Sequence, residues 1–205
     1  MIESIKEFWY LYLLIAVLIV VTLFVWKKAI AASSKRSKQF NESLAKAKRA
    51  KELREAYSDM TADIIEKAPA ADLFEGIAVK LEYTCQKTEN TNGFYESMTN
   101  GEKNVYALYY LITDAAEGNL SKFFKSSYRP LTSDAVAAAK EIFDEKTYSI
   151  INMMFRCYDE NNEEYSVIPH EIDRLNGEYR DATANTDLFA LGGEYIKNNP
   201  NEFLK

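Results

Sequence analysis

The feature that most constrains this chain is an uninterrupted apolar run over residues 8–26, FWYLYLLIAVLIVVTLFVW. These nineteen residues include no charged side chain, no glycine and no proline. As a helix the run would be about 28 Å long, at about 1.5 Å per residue, close to the thickness of a bilayer's hydrocarbon core. Aromatic residues typical of the membrane interface lie at its ends: Trp9, Tyr10, Tyr12 and Trp26. The run therefore predicts one transmembrane helix.

A buried core helix and a cleaved signal peptide are the two alternatives for such a run. A core helix of a small domain rarely extends over nineteen residues without a polar face. A signal peptide has a basic leader and an apolar core of about 7–15 residues, followed directly by small residues at a cleavage site. Here the leader carries Glu3, Lys6 and Glu7, the apolar run is longer, and Lys27 and Lys28 follow it. We therefore expect an uncleaved anchor.

The charges beside the run predict its orientation. Residues 27–57 contain ten Lys or Arg and three Glu, a local net charge of +7. Lys6 is the only basic side chain on the N-terminal flank. Because basic residues stay on the cytoplasmic side, we expect a cell-membrane protein with its N-terminus outside and its long C-terminal part in the cytoplasm.

The chain is thus expected to comprise four segments. They are a short extracytoplasmic N-terminus (1–7), the transmembrane helix (8–26), a basic juxtamembrane helix or stalk (27–57) and an acidic cytoplasmic domain (58–205). That last segment carries 14 basic and 26 acidic side chains, a net charge of −12 within an overall charge of −6. Such a domain repels the phosphates of nucleic acid and favours a basic protein as partner, although acidity also serves plain solubility.

The basic segment has a helical apolar pattern. Apolar residues recur there at three- and four-residue steps: Phe40, Leu44, Ala47, Ala50, Leu53, Tyr57 and Met60. This pattern predicts a basic amphipathic helix. Three interpretations of this helix stay open. Its first half lies against anionic lipid headgroups, or the helix acts as a stalk, or it pairs with a second copy of itself.

The acidic segment shows helical periodicity and no convincing alternating strand, so we expect an all-α domain of about six or seven helices. Two turn signals, Asn90–Gly93 and Asn100–Gly101, separate the earlier helices. Gly118 suits the C-terminal end of the helix after them. The expected N-caps of three helices are Asp72, Ser133 and Thr186.

Residue types that carry most enzyme chemistry are sparse. The single histidine, His170, excludes a multi-histidine site and leaves little room for a Ser-His-Asp triad. Cys85 and Cys157 lie in apolar helical runs and indicate small buried thiols without zinc spacing. Gly192–Gly193, inside the last predicted helix, favours close helix packing over phosphate binding. The acidic tract Asp159–Glu164 predicts a solvated loop. We expect no catalytic residue, metal or cofactor.

Two stretches carry a family resemblance. The first stretch, residues 106–127, starts with an aromatic helix and reads YALYYLITDAAEGNLSKFFKSS. The second stretch, residues 172–203, reads IDRLNGEYRDATANTDLFALGGEYIKNNPNEF. They resemble the signature, closing segment and last helix of the bacterial DNA-mimic protein family, over about residues 70–205. The family's Asn-Gly-Gly-Phe-x-x-Phe-Phe-like stretch corresponds here to Gly118, Asn119, Leu120, Phe123 and Phe124.

The resemblance implies an all-α, acidic and often dimeric domain. In the named member of that family, acidic side chains imitate DNA phosphates and occupy a DNA-binding protein. Independently of the resemblance, Leu120, Phe123 and Phe124 follow Gly118 and form a short apolar turn of helix between two longer helices, so we expect them to anchor the core of the domain.

We interpret the chain as a single-pass membrane protein whose acidic cytoplasmic domain binds another protein, without enzymatic activity. One alternative is a DNA mimic that holds a basic DNA-binding protein at the membrane. The second alternative is an enzyme with an unrecognised helical site. A clustered acidic face would favour the mimic, and a deep pocket with buried carboxylates of shifted pKa would favour the enzyme.

The predicted orientation can be measured with reporters fused after Lys205. Because residues 27–57 carry a net charge of +7, a reporter that is active only in the cytoplasm should be active there. A reporter that is active only outside the cytoplasm, fused at the same position, should be silent. The reverse result would overturn the orientation.

Overall fold

The computed structural model describes residues 9–158 and 169–204 of the 205-residue chain. In these ranges the regular secondary structure is helical and contains no strand, which confirms the predicted all-α class. The chain divides into two compact units, residues 1–49 and residues 50–205.

The first helix, α1, extends without interruption from Trp9 to Ala56. The sequence predicted two consecutive segments here, and no glycine or proline separates them to break the helix. In the first half of α1, seven large apolar side chains are between 51% and 66% exposed: Leu14, Val17, Leu18, Ile19, Val20, Val21 and Trp26. None of the helices among the described residues is both long and apolar enough to cross a membrane.

Several predicted anchor residues fall outside what the structure describes. Phe8 lies outside the described residues, and the side chains of Trp9, Tyr10 and Tyr12 lie outside the described side chains. The predicted extracytoplasmic residues 1–7 are also outside the described range.

After α1, nine α-helices are described in the unit of residues 50–205, more than the six or seven predicted. They are α2 (Ala62–Lys67), α3 (Ala70–Lys87), α4 (Thr91–Ser97), α5 (Asn100–Asp114), α6 (Ser121–Lys125), α7 (Thr132–Ile142), α8 (Glu145–Tyr158), α9 (Pro169–Thr183) and α10 (Leu188–Asn198). Three 3₁₀ turns lie at Ala116–Gly118, Arg129–Leu131 and Pro200–Glu202. The two helices without a predicted counterpart are short: α2 and α4 have six and seven residues, too few for a clear apolar period.

Both Asn-Gly pairs predicted as turns lie instead at the starts of helices. Asn90 caps α4, since its Oδ1 accepts a hydrogen bond from the Gly93 amide at 2.9 Å. Asn100 is the first residue of α5, where Thr99 and Glu102 form a capping box. A polar side chain satisfies amides that the helix start leaves open, so residues that favour turns can equally begin helices.

The predicted N-caps lie one or two residues from the observed helix starts. Asp72 lies in the first turn of α3, and Ser133 is the second residue of α7. The cap of α10 is Asp187 rather than Thr186, and its Oδ1 accepts a hydrogen bond from the Ala190 amide at 3.0 Å. Acidic side chains are favoured both at the cap and in the first turn, which makes the two positions hard to separate from sequence.

The core of residues 50–205 is built from successive packed pairs of helices. Helix α3 lies against both α10 and α5, α7 packs against α5 and α8, and α9 packs against α8. The largest fully buried side chains are distributed over these helices: Phe74, Leu73, Leu108, Leu111, Ile151, Met154, Leu175 and Ile196.

The last turn of α1 contributes to this core. Leu53 is 8% exposed and Tyr57 is 6% exposed, and the Tyr57 ring packs over Gly76 of α3. The Lys80 ammonium donates a hydrogen bond to the Ser58 carbonyl at 2.6 Å. The compact unit therefore begins at Ala50, whereas the sequence placed the domain boundary between residues 57 and 58.

Helices α10 and α3 approach one another closely at two glycines. A Cβ atom added at Gly193 would lie 1.9 Å from the carbonyl oxygen of Ala70. One added at Gly192 would lie 2.3 Å from the Phe74 ring. This geometry confirms the close helix packing predicted from the glycine pair.

A matched pair of alanine substitutions tests this approach. Gly193→Ala should destabilise the protein by about 1–3 kcal/mol or more, because the obstructing atom belongs to the backbone and cannot rotate away. Gly177→Ala, in α9, meets only the end of the Arg180 side chain at 3.9 Å and should stabilise by about 0.4–1 kcal/mol. The free energies of unfolding come from denaturant melts. Equal values for the two variants would show that α10 can shift away from α3 without loss.

Candidate functional site

A groove of about 580 Å³ lies between α8 and α9. Its floor includes the apolar side chains of Ile150 and Met153, and charged side chains surround it. The lining residues are Glu145, Lys146, Ser149, Ile150, Met153, Glu178 and Asp181.

The start of α8 is held by Asp144. Its Oδ1 accepts hydrogen bonds from the amides of Lys146 and Thr147, both at 3.0 Å. Its Oδ2 accepts a third from the Thr147 hydroxyl at 2.7 Å. The bonds to Thr147 are the main reason that the pKa of Asp144 is lowered. This cap fixes Glu145 and Lys146, the first two residues of α8, at the end of the groove.

The groove carries an excess of negative charge. Three carboxylates and one ammonium line it, a net charge of −2. The Glu178 Oε1 lies 2.6 Å from the Arg174 Nη1, while the Asp181 Oδ1 is 3.9 Å from the Arg180 Nε. The Asp181 side chain is 80% exposed, so this second pair contributes little to stability. Its charge is available to attract a ligand.

An apolar floor with an acidic rim favours a particular class of ligand. The floor can bury apolar side chains, and the rim complements positive charge. A basic amphipathic segment of a protein meets both conditions. Sequence reasoning missed this groove because its lining comes from two helices. The periodicity of one helix does not show which neighbour its surface meets.

The signature residues lie in the core and not in the groove. Leu120 and Phe123 are 0% exposed and Phe124 is 1% exposed. Gly118 has φ +74°, and a Cβ atom there would lie 2.6 Å from the Cβ of Arg180. A left-handed backbone conformation and a close neighbour both require glycine at this position.

Polar side chains hold the same stretch to α9. The side-chain oxygen of Asn176 accepts a hydrogen bond from the Ser121 amide at 3.0 Å. The side-chain oxygen of Asn119 accepts one from the Ser121 hydroxyl at 3.0 Å. Phe124 stacks on Tyr158 at 5.7 Å between ring centroids, which connects α6 to the end of α8. The stretch joins α5, α8 and α9.

Other residues singled out from the sequence lie apart from one another. On α1, Trp26 is 64% exposed, and Lys27 and Lys28 are exposed. Cys85 and Cys157 are half-buried rather than fully buried, and burial raises the pKa of the Cys157 thiol.

His170 is exposed in the first turn of α9. The acidic tract Asp159–Glu164 lies outside the described residues. Over residues 9–158 and 169–204, no group of three or more His, Cys, Asp or Glu side chains is placed to hold a metal ion.

The fold and the groove define an all-α domain with an acidic, partly apolar recess. The chain belongs to the DMP19-like protein family, whose model matches residues 96–199, half of the chain. The matched range includes the signature stretch and both helices of the groove. No curated protein and no solved structure matches the chain significantly.

Truncation of the signature aromatics tests their structural role. Phe123→Ala and Phe124→Ala should each lower the free energy of unfolding by about 3–5 kcal/mol, because both rings are buried. Phe40→Ala is the control, since that ring is 66% exposed on α1 and its loss should change stability by under about 0.5 kcal/mol. Denaturant melts give the comparison. A loss under about 1 kcal/mol for both buried positions would contradict the core assignment.

Proposed function

We propose that this chain is a single-pass membrane protein whose acidic helical domain binds a basic segment of another protein in the cytoplasm. The groove between α8 and α9 is the observation that carries the binding role, because it joins an apolar floor to an acidic rim. The apolar run of residues 8–26 supports the anchor.

The exposure of α1 supports a membrane environment for its first half. Val17, Leu18, Ile19 and Val20 are each more than half exposed, and four consecutive residues of a helix point to all of its sides. Contiguous apolar surface of this kind is unfavourable in water, at about 25 cal/mol per Å². Acyl chains would cover it on every side. The basic residues that follow Trp26 support an orientation with the helical domain in the cytoplasm.

The charge of the domain supports a basic partner. Residues 58–205 carry a net charge of −12, so their field attracts positive charge over about a Debye length, roughly 8 Å at physiological salt. Such attraction raises the association rate and weakens as salt is added. The apolar floor then contributes contacts that salt does not weaken.

A DNA mimic is the second candidate function. Membership of the DMP19-like family and the acidic surface favour it, since the resemblance implies a domain that occupies a DNA-binding protein. In this version the partner is a DNA-binding protein held at the membrane. Both proposals use the groove. They differ in whether the partner's basic segment is the segment with which that partner binds DNA.

Charge reversal at the groove tests the binding role. The partner is first captured from cell extract by the full chain in lipid nanodiscs, then purified for binding measurements. Glu145→Lys combined with Asp181→Lys should weaken its binding by at least about tenfold at low salt, or about 1.4 kcal/mol, because like charges then face one another. Glu66→Lys combined with Glu89→Lys changes the net charge equally at exposed positions outside the groove. Equal weakening by both double variants would show that net charge acts without the groove.

Competition with duplex DNA separates the two versions. If the domain is a mimic, duplex DNA should displace the chain from its partner, because both occupy one site. If the domain is an adaptor, DNA and the chain should be held by the partner together. Salt-sensitive binding of duplex DNA to the helical domain itself would contradict both versions.

A further inference from the structure

A second recess, of about 340 Å³, has three tyrosines among its ten lining residues. Tyr95 comes from α4, Tyr106 from α5, and Tyr128 directly precedes the 3₁₀ turn that begins at Arg129. Cys85 of α3 and Glu96 of α4 also line it. We call this recess the tyrosine pocket. None of its lining residues belongs to the groove between α8 and α9.

The rings of the pocket are fixed by their contacts with one another. The Tyr95 and Tyr106 centroids are 6.0 Å apart, and the Tyr106 ring meets the Tyr110 ring edge-on at 5.0 Å. Tyr110 in turn stacks on Tyr128 at 3.6 Å. These four rings form a continuous aromatic series, so each ring is held in place by its neighbours before any ligand arrives.

The phenols of Tyr95, Tyr106 and Tyr110 stay neutral, because the pKa of each is raised. The Tyr95 hydroxyl donates a hydrogen bond to the Asp134 Oδ2 at 2.6 Å, and burial together with this bond raises the pKa of Tyr95 far above its usual value. Burial also raises the pKa of Tyr106 to about 12. A neutral phenol has an electron-rich ring face, which attracts cations.

Carboxylates surround the pocket with negative potential. Glu96 lines it directly, Asp134 accepts the bond from Tyr95, and the charge of Glu82 contributes to the raised pKa values of Tyr106 and Tyr110. An anion in the pocket would meet unfavourable charge. A cation would meet favourable charge and aromatic faces together.

The protein itself already places a cation beside these groups. The Lys103 Nζ lies 5.6 Å from the Tyr95 ring centroid and 3.9 Å from the Glu96 Oε2. Glu96 is 80% exposed at its side chain, so it can also face a ligand from solvent. The Lys103 ammonium offsets part of this negative charge.

We propose that the tyrosine pocket binds one arginine or lysine side chain of the protein partner. The inference rests on the proposed function, because it names where a basic residue of the partner would be held. A volume of about 340 Å³ suits a single side chain rather than a helix. The pocket would supply specificity for a cation at one position, while the groove supplies area and net charge.

Two amino-acid derivatives test the proposal. Nα-acetyl-arginine methylamide and Nα-acetyl-citrulline methylamide have nearly the same shape, but only the first is charged. Each is titrated into the full chain in lipid nanodiscs with isotope-labelled tyrosines, and the tyrosine ring signals are followed by NMR. The arginine derivative should shift the pocket signals saturably and bind at least about tenfold more tightly than the citrulline derivative. Equal binding, or no saturable shift with either derivative, would overturn the proposal.

Single substitutions locate the binding. Tyr128→Leu removes an aromatic ring and Glu96→Gln removes a charge. Each should weaken the binding of the arginine derivative by at least about threefold. Tyr128→Phe keeps the ring and should bind like the original chain. Tyr83→Leu is the control, since that ring is 41% exposed and lies outside the pocket. Glu96→Gln lies on the surface, so it decides the result if Tyr128→Leu fails to fold. Unchanged binding by Glu96→Gln would contradict the proposal.

The same titration separates this inference from the proposed function. The double reversal of Glu145 and Asp181 should weaken partner binding and leave the arginine derivative unaffected. If the derivative does not bind while the partner remains sensitive to that reversal, only the pocket inference fails. If the derivative binds but the double reversal does not change partner binding, the proposed role of the groove is wrong and the pocket inference is retained.

Discussion

The close approach of α10 to α3 is the contact on which the helical unit depends. Gly193 lies so near the Ala70 carbonyl that no side chain fits between the two backbones. Beside it, Gly192 receives the Phe74 ring, which is fully buried. Because α3 also packs against α5, a shift of α10 would open the layer that positions Tyr106 and its neighbours. Two glycines thus determine the spacing on which the tyrosine pocket is built.

The two proposed binding features use different physics. The groove between α8 and α9 combines apolar area with exposed carboxylates, whose attraction reaches a partner before contact and fades with salt. The tyrosine pocket has preorganised ring faces, whose attraction for a cation acts only at contact. A basic partner would meet the first during approach and the second during docking. Used together, the two features would allow an acidic domain to select one basic partner instead of binding any positively charged protein.

The sequence predicted features that depend on local chemistry. The helical class and the packing role of Gly192–Gly193 both follow from short-range patterns. It failed where tertiary contacts decide. Nothing local shows that Tyr57, in a basic and mostly exposed stretch, packs over α3, or that Asn90 begins a helix. Both binding recesses escaped notice because their walls come from different helices, and a single helical period cannot show which exposed faces meet.

The end of the chain is joined to a helix that begins about a hundred residues earlier. The Glu202 carboxylate accepts a hydrogen bond from the Gly101 amide at 3.1 Å, and its carbonyl accepts one from the Thr99 hydroxyl at 2.9 Å. At a synthesis rate of about 5–20 residues per second, Glu202 is added on the order of 5–20 s after the start of α5. Until then the apolar faces of α3 and α5 remain open, so this part of the domain packs only after residue 202 has been made. During that interval these apolar faces are exposed to water and to other chains, a state in which partly folded proteins tend to aggregate.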